Sequence, residues 1–87
     1  MNIAYDWAAR PAYDALSAPD RQQIDRALAN FRVDDQSRVR RIQAGQRKGL
    51  YVLNPGPDLR LILRVDEQGD QITVAEIVRP EALSSYT

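Results

Sequence analysis

Eleven of the twelve cations in this chain are arginines, and seven of the twelve fall between residues 38 and 64. A guanidinium presents a planar fork of N–H donors that matches the oxygens of a phosphate. In that stretch Arg38, Arg40, Arg41, Arg47, Lys48, Arg60 and Arg64 face a single acid, Asp58, for a local charge of +6. Residues 1–37 sum to −2 and residues 65–87 to −4, so the 87-residue chain is neutral overall. The local field therefore says more about partners than the total does. It points to contact with a phosphate backbone, of the kind that positions a nucleic acid without reading its sequence. The same run also suits a solvated sheet edge, where charges discourage pairing with other chains.

Other chemistries are excluded by composition. There is no Cys, hence no disulfide framework, thiol nucleophile or thiolate metal site. There is no His, hence no imidazole acid–base catalysis and none of the common zinc sites. No metal or cofactor is expected. Uncharged runs are far too short to cross a membrane, and the N-terminal residues, with Asp6 among them, lack the apolar core of a signal peptide. A cytoplasmic protein of one domain, residues 1–87, is the expectation, with 44% hydrophobic residues to build its core.

The elements that must position the arginines are legible in outline. Ile3, Tyr5 and Trp7 alternate with Asn2, Ala4 and Asp6, which predicts a strand over 2–7. Pro11 is tolerated only in a first helical turn, so a short helix over 8–16 begins near Ala9 or Arg10. Ser17 and Asp20 have capping-box spacing around Pro19, and Ile24, Ala27, Leu28 and Phe31 repeat with helical period. A second helix over 19–32 follows. Residues 38–43 alternate as a short edge strand, and Gly45 and Gly49 bracket a loop holding Arg47 and Lys48. Strands are predicted over 50–53, 59–65 and 71–78, joined by a turn at 54–58 and a hairpin loop at 66–70, where Gly69 supplies a positive φ. Pro80 ends the last strand, and residues 81–87 form a tail. The order is strand, helix, helix, then an antiparallel meander of three or four strands. That is an α+β architecture with the helices on one face of the sheet.

With those residues in place the chain resembles a known family. A first strand closed by Trp7, two helices, the segment Gly49-Leu50-Tyr51-Val52-Leu53, the strand Leu59-Arg60-Leu61-Ile62-Leu63-Arg64-Val65 and the strand Ile72 to Arg79 together resemble the RelE/ParE toxin superfamily over essentially the whole length. The resemblance implies a toxin of a bacterial toxin–antitoxin pair, with a cognate antitoxin as partner. RelE-type members cut mRNA in the ribosomal A site, so ribosome and mRNA are implied as targets. ParE-type members poison DNA gyrase without cutting RNA, and a weakened member would only bind its antitoxin. Both alternatives stay open beside the nuclease.

The resemblance also implies roles for single residues. Arg60 matches the phosphate-binding arginine of the central strand, Arg79 the arginine beside the leaving group, and Tyr86 the C-terminal tyrosine that stacks on or orients the nucleotide. Each has a plain alternative: Arg60 and Arg79 as solvated strand charges, Tyr86 as part of a loose tail. Arg38, Arg40, Arg41, Arg47, Lys48 and Arg64 would grip RNA phosphates. The family often carries groove lysines on the preceding strand, where this chain has Tyr51 and Leu53. By alternation these two share the face of Arg60, Ile62 and Arg64, which makes that face apolar and leaves the general base unassigned. Glu76 falls in phase with Ile72 and Val74, on the opposite face.

Overall fold

The computed structural model describes residues 2–32, 38–66, 68 and 70–80. The elements are β1 (Asn2–Tyr5), α1 (Ala9–Asp14), α2 (Ala18–Ala29), β2 (Val39–Arg41), β3 (Tyr51–Gly56), β4 (Leu59–Asp66) and β5 (Gln71–Val78). They form one five-stranded sheet in the order β1-β5-β4-β3-β2. The four C-terminal strands are antiparallel neighbours, as expected, and β1 pairs parallel with β5. A parallel pair needs a crossover. The two helices run along that crossover and cover one face of the sheet.

Local chemistry sets each helix. Ser17 is extended (φ −65°, ψ 159°) and its Oγ accepts from the Asp20 N–H at 3.4 Å, with Pro19 in the first turn of α2. Ile24, Ala27 and Leu28 are buried on the sheet side, and the Asn30 side chain closes the helix by donating to the Arg26 carbonyl at 3.0 Å. The α1 helix is shorter than its sequence pattern. Arg10 stacks 5.6 Å from the rings of both Tyr5 and Tyr13, and the Tyr13 hydroxyl reaches the Asp25 carboxylate at 2.8 and 3.0 Å. These contacts clip α1 to β1 and α2.

The main core lies between helices and sheet, where Ile24, Leu61, Leu63 and Val74 are fully buried. A smaller buried cluster of Ile42, Val52 and Ile62, with Leu50 and Val78 against it, occupies the other face, which neither α1 nor α2 covers. The central strand β4 thus buries Leu61, Ile62 and Leu63 in succession, one side chain to each face in turn.

Three expectations are corrected. The first strand ends at Tyr5, because the Ala9 and Arg10 amides fold back onto the Asp6 carbonyl at 2.9 and 3.1 Å. Trp7 consequently leaves the face of Ile3 and Tyr5 and stands 89% exposed. Tyr51 and Leu53 pair with Leu63 and Leu61 and pack beneath the helices, not beside Arg60. The cause is a bulge: Leu53 pairs with Leu61 but Gly56 with Leu59, so β3 holds one residue more than β4 and the phase read through the turn is inverted. Glu76 is corrected by the same physics. Leu63 pairs with Val74 and Ile62 with Glu76, so β5 holds an extra residue at Ala75. Ile72 and Val74 face the helices, and Glu76 faces the other way, with Ile62.

Candidate functional site

The face away from the helices holds most of the candidate site residues. Arg60, paired with Val78, is half-buried at the end of the sheet where β3 turns into β4. Its Nη1 donates to the Gly56 carbonyl at 2.8 Å and the Leu59 carbonyl at 2.7 Å. These two bonds fix the guanidinium against the turn. Its Nε and Nη2 have no hydrogen-bond partner among the described residues. Arg79 follows β5 at the same end, and its Nη1 donates to the Asp58 carbonyl at 3.1 Å. Two arginines from different strands are thus tied to the backbone of one short turn. Beside them lies an open depression of about 460 Å³ lined by Pro57, Asp58, Arg79 and Pro80. Tyr86, expected as the third member, lies outside the described residues.

Across the same face, Arg47 and Glu76 form a two-pronged ion pair. Arg47 Nε donates to Oε2 at 2.6 Å and Nη2 to Oε1 at 2.8 Å, with side-chain exposures of 22% and 35%. Two backbone arrangements create the pair. The bulge at Ala75 turns Glu76 outward. The β2–β3 hairpin continues past Arg41, Ile42 N–H to Leu50 at 2.8 Å and Gly49 N–H to Ile42 at 2.9 Å, and carries Arg47 in its loop. Gly45 (φ 82°) and Gly49 (φ 91°) let the loop turn so tightly. The pair was hidden from sequence reasoning because bulges leave no reliable mark in the periodicity. The available signal was a lone acid inside the otherwise uncharged run from Ile72 to Val78.

The remaining basic residues do not form one surface. Arg40 pairs with Val52 and shares the uncovered face. Arg41 points to the helix side, 5.9 Å from the Tyr51 ring. Arg38 lines a narrow cavity of about 10 Å³ with Phe31 and Leu53 at the end of α2, room for a single water at most. Lys48 is exposed in the loop beside Arg47. Arg64 reaches across β5 to Asp6, 3.4 Å away, at the far end of the sheet from the turn. Among the described residues no three His, Cys, Asp or Glu side chains gather to hold a metal, and no helix is long and apolar enough to cross a membrane.

No family model and no curated protein matches this sequence. Solved structures do match in shape. The RelE–RelB complex of Pyrococcus horikoshii OT3 aligns with a TM-score of 0.69 at 16% identity, covering 91% of this chain and 93% of that one. A YoeB/ParE toxin from Agrobacterium tumefaciens gives 0.70 at 13%, covering 91% and 98%. The isolated RelE toxin of E. coli gives 0.66 at 16%, covering 97% and 92%. The chain therefore has the RelE-like toxin fold, as its sequence resemblance implied. At these identities the likeness speaks for the fold, and function has to be argued from the site.

Proposed function

We propose that this protein is the toxin of a toxin–antitoxin pair and acts as a metal-independent endoribonuclease on mRNA bound to the ribosome. The observation that carries this reading is the convergence of Arg60 and Arg79 on the 56–59 turn. RNA cleavage of this type needs the 2′-hydroxyl to attack the adjacent phosphorus while the 5′-oxygen leaves. The products are a 2′,3′-cyclic phosphate and a 5′-hydroxyl. Negative charge grows on the phosphorane oxygens, and donors already fixed in place stabilise it without reorganising. Arg60 is such a donor, since its Nη1 is anchored and its Nε and Nη2 point elsewhere. Arg79 at the same strand end suits the departing oxygen. The structures of similar shape include a RelE–RelB complex and a YoeB–YefM complex, which supports an antitoxin as this chain's partner.

A second reading has its own support. On the same face the half-buried Leu50 and Val78 form an apolar floor over the buried Ile42, Val52 and Ile62. Such a floor fits protein contact, either with gyrase or with an antitoxin alone, in a member that does not cleave. Cell-free translation with the purified protein decides between them. New 5′ ends at codon-spaced positions, on translated message only, support the nuclease. Intact message with undiminished translation overturns it. Recovery of a small acidic protein encoded beside this one, by affinity pull-down, tests the partner.

A further inference from the structure

We propose that Glu76 is a positioning residue that fastens Arg47 to the uncovered face as a preformed phosphate-binding group, an inference that rests on the phosphate-binding reading of that face. Arg47 belongs to a loop, and a long flexible side chain on a loop loses considerable rotamer freedom when it grips a ligand. A charged group held in place beforehand avoids that loss. The fork to Glu76 does this. It joins the loop between β2 and β3 to the fourth strand of the meander, across the width of β4. Glu76 pairs with Ile62, and Arg60 lies two residues along the same strand on the same face. Arg47 is thereby held on the far side of Ile62 from the 56–59 turn, so that an RNA strand spanning that distance would meet Arg60 at one end and Arg47 at the other.

The competing role for Glu76 is the missing general base. The geometry disfavours it. Both carboxylate oxygens already accept an N–H from the same guanidinium, at 2.6 and 2.8 Å. Taking a proton from a 2′-hydroxyl would first require one of those bonds to open. The bulge at Ala75 fits the positioning role directly, because without the extra residue Glu76 would face the helices.

The test titrates the isotope-labelled protein with a 2′-O-methyl RNA trinucleotide, which binds but has no nucleophile to react. The Arg47 side-chain N–H resonance reports engagement. It is expected to shift on titration in the parent protein. Glu76→Ala should broaden that resonance before any ligand is added and weaken binding about tenfold. Glu76→Gln keeps one acceptor and should recover part of the loss. In the translation assay Glu76→Ala should raise KM while kcat stays within about twofold. Glu76→Gln also serves if the alanine variant fails to fold. A kcat collapse in Glu76→Gln with binding intact would make Glu76 the base and overturn the proposal, as would trinucleotide affinity unchanged in both variants. Absence of any binding by the parent protein overturns it too. The nuclease reading fails separately: a parent protein that binds through Arg47 in a Glu76-dependent way yet cuts no message keeps this site and loses that activity.

Discussion

The two faces of one sheet are built by different means. The helix-covered face is made by alternation alone: Leu59, Leu61 and Leu63 on β4, Ile72 and Val74 on β5, all at or near zero exposure. The uncovered face is made by departures from alternation. Bulges in β3 and β5 decide that Val52 and Glu76, and not Leu53 and Ala75, stand beside Ile62. One face is built for burial and keeps Arg41 to its exposed edge strand. The other is a thin apolar floor with arginines anchored around it. If the first face carries most of the stability and the second the proposed chemistry, substitutions on each should separate the two properties.

The largest expected effect is on the covered face. Leu61→Ala removes a fully buried side chain from the main core and should cost about 2–5 kcal/mol, read as a fall in the urea midpoint. Ile62→Ala, one residue along the same strand, empties the smaller cluster of Ile42 and Val52. It should cost about half as much, since the cluster is smaller and fewer neighbours lose contact. Equal losses would mean that the uncovered cluster is as much a part of the core as the covered one.

Arg60→Ala and Arg79→Ala should show the reverse pattern. Each is expected to lower cleavage of translated mRNA by about 10²–10³ and relieve growth arrest. Neither should move the thermal midpoint far, because each contributes only one or two hydrogen bonds to carbonyls at the 56–59 turn. Unchanged toxicity in both variants would remove the turn from the site and favour the protein-binding reading.

What was legible in the sequence follows the same division. The helix of Ile24, Ala27 and Leu28, its Ser17 cap, the strands from Leu59 and Gln71 and the whole α+β order could be read because periodicity and capping are local. The basic residues were legible as a composition and not as a surface. Val39 to Arg41 is a strand, so adjacent arginines go to opposite faces: Arg40 joins the groove and Arg41 stacks on Tyr51. Tyr51, Leu53 and Glu76 were misassigned together, because a single extra residue reverses every side chain beyond it. Arg47 was noticed for its charge, while its partner 29 positions away could be recognised only once β5 was seen to bulge.

That split between neighbouring arginines can be measured. Arg40→Gln should weaken RNA binding and reduce the slope of log affinity against log salt by about 0.7, the value for one phosphate contact with a single strand. Arg41→Gln should leave the slope unchanged and lose only its stacking on Tyr51, at roughly 0.5–1 kcal/mol of stability. Equal slopes for the two variants would mean that RNA wraps the edge at β2 instead of lying along one face.

The smallest effect concerns the clamp that holds α1 on the covered face. Burial pushes the Tyr5 hydroxyl up to about 12, aided by Tyr13 and the negative charge of Asp25 and opposed by Arg10. Tyr13 is raised mainly by its hydrogen bond to Asp25. A folded-state value above the ordinary 10.0 means that folding favours the protonated phenol. The stability this contributes is complete below pH 10 and is lost as pH rises through about 12. Solvent reaches the half-buried Tyr5, so the loss should be modest, and it should appear as a fall in the urea midpoint that tracks tyrosinate absorbance. Tyr13→Phe removes the hydroxyl that Asp25 holds and should move Tyr5 back toward its ordinary value while leaving Arg60 and Arg79 untouched. A Tyr5 that titrates near 10 in the parent protein would show that α1 opens freely from the sheet. The covered face would then be sealed by α2 alone.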